Sequence, residues 1–244
     1  RRSSDLEFDI RNHFKLGPVK YHNVVASIKG TKYPDEYVII SGHLDSYDVA
    51  TGGIDCGTGI GPMMEAARMI ALSGAKPKRT ILFVAFAGEE FGLLGAKAYV
   101  KTHAKELGKI ANLFNRDGGP TPPVGISVPQ AMYDDFVEVC KPVKEIRADY
   151  PFEVKVAKPF KRPTQSGGTD ASVFAVEGVP TFGFNTQDIK GYNFSYGEIW
   201  HTERDLYTKN IPEYQEHAAT VTAVVALGIA NLSKQLSREG MHKK

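Results

Sequence analysis

Two periods of hydrophobic and polar positions run through the chain. Residues 21–29 alternate polar and apolar side chains, which predicts an outer strand, and residues 36–42 form a short β-branched run ending in glycine, which predicts a buried one. Over residues 58–72 the period changes, and Ile60, Met63, Met64, Ala67, Ile70 and Ala71 fall on one helical face. Pro77 resets the chain before residues 79–87, the most apolar strand in the sequence. A second helix is expected over 92–103 and a third central strand over 110–115. A Pro/Gly-rich stretch (118–129) precedes a helix from about 133 to 147, a strand at 152–157, a short helix at 169–177 and a strand at 179–185. The last helix, 212–236, carries Tyr214, Ala218, Val221, Val225 and Leu232 along one side. Strands alternating with helices predict an α/β fold of three layers, a mostly parallel central sheet with helices on both faces.

The length of 244 residues is ambiguous between one domain and two at about 150 residues per domain. No internal repeat and no linker divides the pattern, so one domain over 1–244 is expected. With 42% apolar and 24% charged residues the composition is globular. Thirty basic against 28 acidic side chains leave a net charge of +2, which argues against a nucleic-acid partner. The longest apolar stretch, 218–232, is broken by Thr220, Thr222 and Gly228. It falls short of the ~18 residues of a membrane span and reads as a buried helix. Cys56 and Cys140 are too few for a disulfide framework or a thiolate-based metal site. The chain opens Arg-Arg-Ser-Ser, without an initiator methionine or an apolar signal core, as a piece cut from a longer protein would.

The informative polar residues lie just past the expected strand ends, where open α/β sheets bind ligands. His43-Leu-Asp45 follows the second strand, and Asp55 sits in Gly-rich backbone before the first long helix. Glu89-Glu90 follows the apolar strand, Asp117 follows the third central strand, and Trp200-His201 ends a long loop. Each has an ordinary explanation: Asp55 as a helix N-cap, Asp117 in an Asx-turn, the glutamates as a solvated pair. Together they bring imidazole and carboxylate groups to one sheet edge, a donor set that suits zinc, manganese or cobalt.

Gly42-His-Leu-Asp-Ser46, Asp55-Cys-Gly-Thr-Gly59, Gly88-Glu-Glu-Phe-Gly-Leu93, Asn115-Arg-Asp117, Gly168-Thr-Asp170 and His201-Thr202 occur in one order over about residues 20 to 230. In these segments the chain resembles the zinc exopeptidases related to bacterial leucyl aminopeptidase and plasma glutamate carboxypeptidase, most of all the second branch. The resemblance implies two zinc ions per chain. Asp55 would bridge them, His43 and Asp117 would complete one ion, and Glu90 and His201 the other. Glu89 would be the general base, and Asp45 a supporting carboxylate that orients His43 and the bridging group. The residue types suit peptide hydrolysis, which needs a water activated near neutral pH and a carboxylate to carry its proton to the leaving amine.

Cys56 stands where such enzymes commonly carry Asp, Asn or Ser, and reads first as a small side chain packed under the loop. Ala171 follows Asp170 where a His is common. Trp200 precedes the ligand His where a Tyr can support the oxyanion, and Tyr192 or Tyr196 could serve instead. Tyr192, Phe194, Tyr196 and Trp200 interleave with loop-forming residues, so not all four are expected to face inward. Tyr192, Tyr196 and Trp200 are the expected substrate-binding residues, for a large apolar side chain. Arg116, Lys161 and Arg162 are the candidate cations for a substrate carboxylate. The expected partners are a small peptide substrate and, as an open possibility, a second copy in a homodimer. A mono-zinc glutaminyl cyclase and an inactive receptor-like binding domain are the alternatives. The resemblance also implies an extracytoplasmic location, with a signal peptide and a protease-associated domain upstream.

Overall fold

A computed structural model describes residues 7–13 and 17–243. Its first sheet has the order β1-β3-β2-β4, built from β1 (Val24–Ile28), β2 (Tyr33–His43), β3 (Arg79–Phe86) and β4 (Ile110–Asn115). The second has the order β6-β5-β7, from β5 (Pro123–Val128), β6 (Glu153–Val156) and β7 (Phe184–Thr186). β2 runs parallel to β3 and β4, and β5 parallel to β6, whereas β1 and β7 are antiparallel to their neighbours. The two sheets meet between β4 and the extended chain before β7. There the Leu113 N–H donates to the Pro180 carbonyl, and the Asn112 amide pairs with both backbone groups of Phe182.

Alternation along the central strands divides the core. Val38 and Ile40 of β2 join Ile81, Phe83 and Ala85 of β3 in one cluster, while Ile39, Val84 and Phe86 face the other way. Three helices cover the first face: α1 (Gly57–Leu72), α3 (Gln130–Ile146) and α5 (Pro212–Ala230). Two cover the second: α2 (Leu94–Thr102) and α4 (Asp170–Val176). The three-layer expectation holds.

Three local expectations differ. The stretch expected as loop contains β5, because Gly125 lets β6 approach: a side chain there would meet the Glu153 carbonyl at 2.3 Å. The strand expected over 179–185 shrinks to β7, because Pro180 lacks the N–H that a ladder needs. The final helix stops at Ala230, where Asn231 turns away to accept the Lys78 N–H. No described helix is long and apolar enough to cross a membrane.

Candidate functional site

The parallel strands β2, β3 and β4 end on the same side, and the chain leaving each end supplies the site. His43 is the last residue of β2 and is 2% exposed. Its Nε2 lies 2.9 Å from an Asp55 carboxylate oxygen and 3.3 Å from one of Asp117, which follows β4. On the other side of the site, His201 Nε2 lies 3.0 Å from Glu90 Oε2. A ring nitrogen of His43 and carboxylate oxygens of Asp55 and Glu90 all fall within 4.8 Å of one another. Asp55 thus stands between a His43–Asp117 pair and a Glu90–His201 pair. Glu90 Oε1 is buried and has no hydrogen-bond partner among the described residues, as a donor atom awaiting an ion would. This donor set fits divalent zinc.

The surroundings hold these groups rigidly. The Asp45 carboxylate accepts the N–H groups of Glu89 and Glu90, at 3.1 and 3.2 Å, and so fixes the turn after β3. Its backbone carbonyl, 2.9 Å from His43 Nδ1, orients the imidazole. The resemblance implied that the Asp45 carboxylate would orient the ring; the carboxylate lies 3.8 Å from Nδ1. Asp205, 2% exposed, accepts the N–H groups of Ile54 and Asp55 at 2.7 and 3.2 Å. Gly53 allows this approach, since a side chain there would strike the Tyr207 backbone at 2.0 Å. His201 has φ +57° and stacks between Tyr47 and Trp200, with ring centroids 4.1 and 4.2 Å away.

Burial works against a charged His43, but its hydrogen bonds to Asp117 and Asp55 outweigh that and raise its pKa. Burial likewise opposes ionisation of Asp55, yet the His43 and Tyr196 hydrogen bonds hold its pKa below the ordinary value. Glu89 is pushed up to about 8, first by burial and then by the negative charge of Asp117. Burial raises Asp170 to about 7, and neither of its buried oxygens has a hydrogen-bond partner among the described residues.

Glu89, Glu90, Asp55, Asp117, Tyr196, Trp200 and His201 line one cleft of about 530 Å³. The Tyr196 hydroxyl lies near Asp55, whose charge together with burial raises its pKa. Tyr192 is not brought there. Its hydroxyl bonds Glu213 on the outside of the loop, and its ring meets Tyr214. Phe194 packs against a small core of Tyr150, Ile211 and Tyr214. Arg116 is committed elsewhere, donating to the carbonyls of Thr58, Gly119 and Thr121, and burial lowers its pKa to about 10. Lys161 and Arg162 do not line the cleft. Sequence reasoning missed Asp205 and Tyr47. Asp205 lies four residues past His201 in a polar run, and no periodicity marks either residue.

The model of peptidase family M28 matches residues 23–225. The chain belongs to that family. Rat carboxypeptidase Q is 32% identical over 231 residues, covering 93% of this chain and 46% of the rat protein. The M28 peptidase precursor of Shewanella amazonensis superposes with a TM-score of 0.73 at 34% identity, over 88% of this chain and 46% of that one. A zinc aminopeptidase from Bacillus subtilis shares the fold, with a TM-score of 0.65 at 21% identity over 91% of this chain and 53% of that one. The chain spans about half the length of the carboxypeptidase Q relatives it matches.

Proposed function

We propose that this M28 chain is the catalytic unit of a two-zinc exopeptidase that hydrolyses short peptides outside the cytoplasm. The observation that carries the reading is the position of Asp55 between two donor pairs. His43 stands 2.9 Å from it and 3.3 Å from Asp117, and Glu90 stands beside it, 3.0 Å from His201. His43, Asp117 and Asp55 would hold one ion, and Glu90, His201 and Asp55 would hold the second. Bound zinc supplies Lewis acidity and lowers the pKa of water toward neutrality.

The chain's own groups account for the rest of the chemistry. Glu89 lines the cleft and, on this reading, binds no ion. A carboxylate so placed takes a proton from the attacking water and returns it to the leaving amine nitrogen. Asp45 fixes the backbone under both glutamates, so that adjacent residues keep separate tasks. The Tyr196 hydroxyl, near Asp55 and in the lining of the cleft, supplies a donor for the oxyanion of the substrate carbonyl. Tyr196, Trp200 and Leu93 give the cleft an apolar wall, which favours a large hydrophobic residue beside the scissile bond.

The test is zinc content at saturation, together with hydrolysis of dipeptides that are free, blocked at the amino end or blocked at the carboxyl end. Two zinc ions per chain and cleavage that depends on one free terminus are expected, and the sensitive terminus gives the direction. A single zinc with cyclisation of amino-terminal glutamine peptides would replace this reading with the cyclase one. The fold is shared with a glutaminyl cyclase from an Acidobacteriales bacterium, at a TM-score of 0.60 and 17% identity over 86% of this chain and 73% of that one. Bound zinc with no hydrolysis of any peptide would point to a binding domain.

A further inference from the structure

We propose that Cys56 is a fourth protein donor to the ion assigned to His43, Asp117 and Asp55, adding a thiolate to one imidazole and two carboxylates. This rests on the two-ion reading above and adds a ligand to it. Cys56 directly follows the bridging Asp55 and is 1% exposed. Its sulfur occupies a slot kept open by glycine, since a side chain at Gly59 would come within 2.6 Å of it. The thiol donates to the Arg116 carbonyl at 3.0 Å, which holds the sulfur beside Asp117 rather than letting it rotate away. Cys56 Sγ, a His43 ring nitrogen and an Asp117 oxygen all lie within 4.8 Å of one another.

That spacing is near what ligation needs. Zinc bonds of about 2.0–2.3 Å in a tetrahedron set neighbouring donors roughly 3.3–3.8 Å apart. His43 Nε2 and the Asp117 oxygen already stand 3.3 Å apart, so the sulfur needs to close on them by no more than about 1.5 Å. On ligation the S–H bond breaks, a sulfur–metal bond forms, and the proton passes to solvent; no oxidant or other reactant enters. The Arg116 carbonyl gives up its sulfur donor in exchange. A site with one soft donor discriminates for zinc, cobalt and cadmium over magnesium, calcium and manganese.

Cobalt(II) substitution reads the ligand directly. A thiolate bound to cobalt absorbs in the near ultraviolet by charge transfer, while ligand-field bands in the visible report the metal whatever its donors. The expected result is a charge-transfer band in the unsubstituted protein and in Cys140→Ser, whose thiol lies in α3 away from the site. The band should vanish in Cys56→Ser while the visible bands persist. Visible bands without charge transfer in the unsubstituted protein would overturn the Cys56 assignment and leave the metal-site reading standing. Absence of any cobalt binding would overturn both. If Cys56→Ser does not fold, cadmium NMR of the unsubstituted protein takes its place. A resonance shifted strongly downfield, as sulfur donors produce, supports the assignment, and one in the nitrogen–oxygen range removes it.

Discussion

Asp205 is the residue on which the proposed bridging ligand depends most, and replacing it should disturb stability and metal binding together. Its carboxylate takes the N–H groups of Ile54 and Asp55 at 2.7 and 3.2 Å, in a place only 2% exposed. In Asp205→Ala both donors lose their partner where little water reaches. Hydrogen bonds to charged groups contribute about 1.5–3 kcal/mol each. The longer bond counts at the low end, and removing the buried charge recovers part of the loss, because burial already raises the pKa of Asp205. A net destabilisation of about 3 kcal/mol follows. At about 2–4 °C per kcal/mol for a chain of this size, the melting temperature should fall by roughly 6–12 °C. The freed loop is the one that carries Asp55, so zinc affinity, read by competition with a chromophoric chelator, should fall by about 10–100-fold. Thermal melts and chelator titrations of Asp205→Ala and Asp205→Asn check both quantities. Asn keeps one acceptor oxygen, so it should fall between Ala and the natural residue. An Ala variant that melts within about 1 °C of the unsubstituted protein, with equal zinc affinity, would refute the argument.

Other expectations follow from the same geometry. Glu89→Gln should keep its zinc and lose at least about a hundredfold in kcat, whereas Glu90→Gln should lose zinc; metal analysis with steady-state kinetics would show exchanged phenotypes if base and ligand are reversed. Tyr196→Phe should lower kcat by about 10²–10³, while Tyr192→Ala, outside the cleft, should leave the side-chain preference unchanged; an equal loss in both on a dipeptide panel removes Tyr196 as the oxyanion donor. Burial lowers the His217 pKa to about 4. The unfolded chain therefore binds the proton first, and the stability this residue adds above about pH 6.5 is lost as pH falls toward 4, by at most about 3 kcal/mol. Denaturant unfolding of His217→Gln between pH 7 and 4 should show a flatter pH dependence, and parallel curves for the two proteins would sink the assignment.

How much of this was legible in the sequence depends on whether the responsible interaction is local. β3 and the helical face of α1 could be read because one strand's apolar run or one helix's period carries the signal. His43, Glu89, Glu90 and Asp117 could be read because these polar residues sit at or just past the ends of largely buried strands. β5 was hidden because Pro123 and Gly125 look like loop residues until β6 lies against the glycine. Tyr192 was placed in the substrate cleft because it shares a loop with Tyr196. Only the Glu213 side chain, on a helix 21 residues away, explains why it turns outward. Asp205 was invisible for a similar reason: its partners lie 150 residues earlier, and no pattern within its own run distinguishes it from a solvated acid.

The electrostatics of the site bind these parts into one argument. Glu89 is pushed up to about 8 and Asp170 to about 7, and Glu90 is raised as well, in each case first by burial. The negative charge of neighbouring carboxylates adds to all three shifts. The fold has therefore gathered more acid than the protein alone holds comfortably in its charged form. The His43 imidazole offsets part of that charge at all three, joined by His201 at Glu90, and the raised pKa of His43 is the counterpart of the strain on the carboxylates. Divalent cations between the two donor pairs would offset the rest and return the carboxyls to their ionised state. The scaffold that must hold such a set against its own repulsion is what the structure displays. Strand ends fix His43 and Asp117, Asp45 fixes the glutamate turn, and Asp205 fixes the loop of Asp55. A looser frame would let the carboxylates separate, and the crowding that would favour a bound cation would disperse.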